Sequence, residues 1–112
     1  MQYWQTIWRF DTARFTVTCD VTPEDTHPRD LFDNDGDIED ILDGRLDWFV
    51  VRVRVMLDGR EIGADYLGGC AYSRATDFVE GENRDFYFRD MVRAAVAEAR
   101  QTLNNSPVLR AA

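Results

Sequence analysis

The chain alternates most regularly between Asp47 and Leu57, where Phe49, Val51, Val53, Val55 and Leu57 share one parity. Trp48, Val50, Arg52, Arg54 and Met56 share the other, which predicts a strand with one face buried. Asp58-Gly59 follows as a hairpin turn, since both residue types tolerate positive φ. Glu61–Tyr72 then reads as the returning strand, with Ile62, Ala64, Tyr66 and Cys70 on one face. Gly63, Gly68 and Gly69 interrupt it, and glycine inside a strand marks a bulge or a close backbone approach. Earlier in the chain, Phe15, Val17, Cys19 and Val21 alternate with Thr16, Thr18 and Asp20, so Arg14–Val21 is a half-buried strand. Tyr3–Phe10 is its partner across Asp11-Thr12-Ala13. There Trp4, Ile7, Trp8 and Phe10 do not share a parity, as a bulge or a strand covered on both faces requires.

The periodicity changes after Ser73. Asp77-Phe78-Val79 suits a single turn, and Phe88, Val92, Ala95, Ala99 and Leu103 recur at helical spacing with Met91 and Val96 beside them. A helix from about Asp85 to Leu103 follows, capped by Asn83 or Asp85 and ended by Asn104, Asn105 and Pro107. Its arginines, Arg89, Arg93 and Arg100, fall mostly opposite the apolar stripe; they can be read as a site for an acidic ligand, but pairing with Glu98, Asp90 and sheet acids favours ion-pair surface. The expected fold is α+β: an antiparallel four-stranded sheet, ordered ββ, insert, ββ, with one long C-terminal helix packed on it. Residues 1–105 form a single domain with an insert at 22–45, and 106–112 form a tail.

The insert concentrates the charge. The chain has 112 residues, 21 acids and 13 basic residues, all of them arginine, for a net charge of −8. Between Asp20 and Asp47 lie 11 carboxylates in 28 residues, opposed only by Arg29 and Arg45, so this stretch carries −9. The other 84 residues carry 10 acids and 11 arginines, or +1. Pro23, Pro28 and Gly36 make the segment mostly loop, anchored at its C-terminal half and mobile at its N-terminal half. Ile38, Ile41 and Leu42 suit a short helix capped by Asp37 and ending near Gly44. Two readings stand side by side: a solvated loop that keeps the protein soluble, or a surface that docks a basic partner. On the second, Asp30, Asp33, Asp35, Asp37, Glu39, Asp40, Asp43 and Asp47 supply charge, and Phe32 and Trp48 supply apolar contact. The missing lysines point to a GC-rich source.

Other chemistry is thin. No apolar run is long enough to cross a membrane as a helix. Met1–Phe10 carries polar or charged residues at every second or third position, unlike a signal or transit peptide. The charge balance counts against direct nucleic-acid binding, and core or interface packing is favoured over base stacking for Trp4, Trp8 and Trp48. Asp33-Asn34-Asp35-Gly36-Asp37-Ile38 resembles part of a calcium loop, but Leu31 and Leu42 stand where its essential first and last carboxylates belong. That leaves Asp33, Asp35 and Asp37 as a weak cation-binding set. His27, the only histidine, is a solvent-exposed loop residue, and Cys19 and Cys70 are buried free thiols. No cofactor loop and no positioned nucleophile or base is present, so no enzyme is expected.

The run Asp58-Gly59-Arg60-Glu61-Ile62-Gly63-Ala64-Asp65-Tyr66-Leu67-Gly68-Gly69-Cys70, followed by Phe88-Arg89-Asp90-Met91-Val92-Arg93, resembles a family of small acidic proteins. Its members are encoded by phages, plasmids and integrated elements of GC-rich proteobacteria. The similarity covers most of the chain beyond Val50 and, more loosely, the N-terminal strands. It implies context and carries over no catalytic residue. Such proteins are often inhibitors of host defence, including anti-CRISPR and anti-restriction proteins that mimic nucleic acid. The expectation is a non-enzymatic inhibitor in the cytoplasm of a bacterial host cell, docking on the basic surface of a protein or protein–RNA complex, a CRISPR effector first. The alternatives are a structural or regulatory homodimeric module and, behind it, a divalent-cation-binding module.

Overall fold

The computed structural model describes residues 3–106. In chain order it contains β1 (Gln5–Asp11), β2 (Phe15–Pro23), a 3-10 turn (Pro28–Asp30) and α1 (Asp35–Leu42). Then come β3 (Asp47–Leu57), β4 (Arg60–Tyr72), two further 3-10 turns (Ala75–Val79 and Gly81–Asp85) and α2 (Tyr87–Asn104). The strands form one antiparallel sheet in sequence order, β1-β2-β3-β4, and α2 packs on one face of it, so the fold is α+β. No described helix is long and apolar enough to cross a membrane.

The core follows the alternation. Val17, Cys19 and Val21 of β2 and Phe49, Val51, Val53, Val55 and Leu57 of β3 are buried on the helix side. Phe88, Met91, Ala95 and Ala99 of α2 close over them, while Phe78 and Val79 from the first turn after β4 seal one end. Aromatic edges meet there: Phe78 lies 6.3 Å from Phe88 and 5.5 Å from Tyr72, both nearly perpendicular.

Irregularities in the sheet account for the broken parities. In β1 the register slips between Thr6 and Trp8, making Ile7 the extra residue of a bulge. Trp8 and Phe10 therefore share the helix side with Val17 and Cys19, while Thr6 sits opposite Asp20 on the other face. β4 slips twice against β3, at Val55/Met56 and at Phe49/Val51. The first slip corrects the expected face of β4: Ile62 and Cys70 are buried, but Ala64 and Tyr66 pair with Arg54 and Arg52 on the opposite side, and Tyr66 is exposed. At Asp58-Gly59 both φ angles are positive, 49° and 78°, as the hairpin signal requires.

Both helix starts differ from expectation. α1 is capped by Asn34, whose Oδ1 accepts the Asp37 N–H at 3.1 Å, so Asp37 lies inside the first turn. α2 begins after Phe86 without a side-chain cap, because Gly81–Asp85 forms its own 3-10 turn. Asn83 instead donates to the Asp77 carbonyl at 3.0 Å, and Asp85 lies 3.6 Å from Arg89.

Candidate acidic docking surface

The insert leaves the sheet from the end of β2 and returns at the start of β3, at the end opposite the two hairpin turns. Its N-terminal half is tied down, which corrects the expectation of a mobile segment. The Glu24 N–H donates to the Trp48 carbonyl at 3.1 Å, and the Trp48 indole N–H donates to the Thr26 carbonyl at 2.8 Å. Glu24 also reaches across to accept the Gly69 N–H at 2.8 Å. Gly69 has a φ of +67° at the β4 bulge, and a Cβ there would stand 2.9 Å from Leu31. The backbone bends to let the insert settle on this strand. Phe32 leans on Trp48 with ring centroids 5.6 Å apart, and Pro28, Ile38 and Ile41 are buried under the rest. His27 is exposed, and its Nδ1 accepts the Arg29 N–H at 3.1 Å.

The expected site residues divide by their partners. Arg45 holds Asp40 at 2.7 Å and Asp43 at 3.1 Å, and those bonds raise the Arg45 pKa, the Asp40 hydrogen bond first. Arg29 lies 3.4 Å from Asp35. Asp47 accepts the Ala75 N–H at 2.8 Å and thereby fixes the turn after β4. Trp48 and Phe32 are half-buried and serve the insert's own packing. Asp30, Asp33, Asp37 and Glu39, with Asp25, are exposed and have neither an ion pair nor a side-chain hydrogen-bond acceptor role among the described residues. The apolar groups exposed beside them are Leu31 and Leu42, 53% and 59% accessible. Sequence reasoning named neither as a contact residue, having read Leu42 only as part of the short helix's apolar spacing.

Asp33, Asp35 and Asp37 do not converge on a cation. Asp35 and Asp37 sit two residues apart in the first turn of α1, which turns their side chains to different sides of the helix. Among the described residues no group of three His, Cys, Asp or Glu side chains is arranged to hold a metal ion.

One residue of the acidic stretch belongs elsewhere. Asp20 points to the sheet face away from α2 and is 1% exposed, under Arg52 and Arg54. Its oxygens accept from Thr6 at 2.7 Å, Thr18 at 3.3 Å and Arg52 Nε at 2.8 Å, while Arg54 Nε lies 3.2 Å away as an ion pair without a hydrogen bond. Trp4 covers the Arg52 guanidinium at 4.1 Å. Burial alone would push the Asp20 pKa up, but the hydrogen bonds from Arg52 and Thr6 and the charge of Arg54 outweigh it and hold the carboxyl below its ordinary value. Two arginines two residues apart on β3, facing a lone aspartate on β2, were the signal for this pairing. The exposed acidic charge therefore begins after β2. No family model, curated protein or solved structure matches the chain.

Proposed function

We propose that this protein is a non-enzymatic inhibitor from a mobile element that occupies the cationic nucleic-acid channel of a bacterial host defence complex, of the anti-CRISPR or anti-restriction type. The observation that supports this reading is the set of exposed, unpartnered carboxylates Asp25, Asp30, Asp33, Asp37 and Glu39 on an insert tied to the sheet by its own hydrogen bonds. A channel lined with arginine and lysine attracts polyanions over a Debye length of about 8–10 Å and discriminates by charge before contact. Fixing the carboxylates on a folded platform lowers the ordering cost of binding, which a disordered acidic tail would bear in full. Leu31 and Leu42 would slow dissociation once the insert is seated.

The test is binding and inhibition with purified CRISPR effector and restriction complexes across a salt series. The parent should bind and lose affinity steeply as salt rises. Neutralising Asp33, Asp35, Asp37, Glu39 and Asp40 to Asn or Gln should weaken binding by at least about tenfold at low salt. Inhibition by that variant equal to the parent's would end the decoy reading.

A further inference from the structure

The side of α2 that faces β1 has the opposite chemistry to the insert. Two clefts follow one another along it, both bordered by Trp8 and Val92. The first, of about 540 Å³, lies beside the start of α2 and is edged by Arg84, Arg89 and Arg93, with Asp85 as the only carboxylate. The second, of about 380 Å³, runs toward the end of α2 between Phe10 and Phe15 on the strands and Val96 and Leu103 on the helix, with the exposed Arg100 its one charged lining residue. Arg89, Val92, Val96 and Leu103 recur at helical spacing, so they form one stripe along the groove. The arginines expected opposite the apolar stripe thus stand at its edge.

Their charge is weakly answered. Arg84 and Arg93 form no ion pair among the described residues, and Arg89 meets only Asp85, at 3.6 Å with both side chains well exposed. The first turn of α2 borders the same cleft and has no side-chain cap, which adds the positive end of the helix. The apolar cleft keeps Phe10 54% exposed, stacked 6.3 Å from Trp8. On a chain of net charge −8, a groove with three arginines at one end and aromatic walls at the other selects for an occupant of matching polarity.

We propose that this groove binds an anionic amphiphile, with a carboxylate or phosphate head among Arg84, Arg89 and Arg93 and an unbranched apolar tail between Phe10, Trp8 and the Val96 side of α2. Each cleft has the size of an ordinary small-molecule site. An extended polyanion fits less well, because past Val92 only Arg100 could answer its charges and the other walls of the second cleft are mostly apolar. A small inorganic anion would leave that cleft unused.

Calorimetric titration of the full chain with laurate, dodecyl phosphate, dodecanol, acetate and inorganic phosphate tests the assignment. Laurate or dodecyl phosphate should bind at least about tenfold tighter than dodecanol, acetate or phosphate, and the tighter of the two identifies the head. Arg89→Gln with Arg93→Gln, both on the exposed helix surface, should weaken the charged amphiphiles about tenfold and leave the circular dichroism unchanged. Phe10→Ser should weaken them through the tail. Dodecanol binding as well as laurate, acetate or phosphate binding as well, no binding of either charged amphiphile, or an arginine double variant that binds like the parent would each overturn the proposal. The groove uses no insert residue, so the chain neutralised at Asp33 to Asp40 should bind laurate normally whatever it does to a defence complex.

Discussion

A carboxylate out of water is costly unless its lone pairs are matched, and Asp20 accepts from two hydroxyls and the Arg52 guanidinium with the Arg54 charge beside it. Asp20→Ala would leave Arg52 and Arg54 facing each other across a void, and should destabilise the fold by about 3–5 kcal/mol in urea unfolding. The pH dependence has a definite sign. Because the folded-state pKa is depressed, the carboxylate's contribution is complete above the ordinary range near about 4 and is lost as pH falls through the lower folded value. Melting curves of Asp20→Asn should therefore run below the parent at neutral pH and converge on it in acid. Parallel curves throughout would remove Asp20 as the source. The two thiols make a second residue-scale case. Burial first, with the Asp20 charge next for Cys19 and that of Glu24 for Cys70, pushes both up to about 12. Iodoacetamide near neutral pH should leave the native chain unmodified and add to both cysteines once it is denatured, as read by intact mass.

Between elements, the closest approach is Gly63 on β4 against α2. A Cβ at Gly63 would lie 2.2 Å from the Ala95 carbonyl and 2.7 Å from the Ala99 nitrogen, both rigid backbone. Gly63→Ala must push the helix off the sheet and should cost about 1–3 kcal/mol or more, with the loss visible in chemical denaturation. A cost under about 0.5 kcal/mol would mean that helix and strand are not so close. The glycine in the strand already pointed to either a bulge or an approach, and here the bulge lies beside it at Ile62 while the approach falls on Gly63 itself. Strand existence was legible because alternation reports burial directly, whereas the broken parity of β1 left two explanations, of which the register shows the bulge. The faces of Ala64 and Tyr66 were not, since a single inserted residue inverts every later parity. Cap choice was illegible for a related reason. Asn34, Asp37, Asn83 and Asp85 are all competent caps; Asn34 takes the role at α1, and the turn at Gly81–Asp85 removes Asn83 and Asp85 from it at α2. The insert's charge was plain in the sequence, but its tethering depends on Trp48 and Gly69, which lie outside it.

Across the whole molecule, the acidic insert and the arginine-edged groove are separate surfaces on one sheet-and-helix platform. The insert carries a local cost for its charge. In α1, Asp35 and Glu39 are four residues apart, and Glu39 stands four residues before the C-cap Asp43; like charges at that spacing are destabilising by about 0.2–0.5 kcal/mol each. Asp35 and Asp37 are offset by the positive end of the helix, whereas Glu39 lies further along toward the negative end. Glu39→Gln should therefore stabilise the protein slightly, most at low salt, and the parent's melting temperature should rise with added salt as that repulsion is screened. The buried Asp20 network is screened much less and should not mask the trend. On the proposed function the same substitution weakens docking, so stability and affinity should move in opposite directions at one exposed residue. That opposition is what a charge kept for a partner requires, and a merely solubilising loop gives no reason for it. Scanning calorimetry and effector binding on the same Glu39→Gln preparation decide the matter, since a gain in stability with affinity unchanged would leave the insert as a solvated loop.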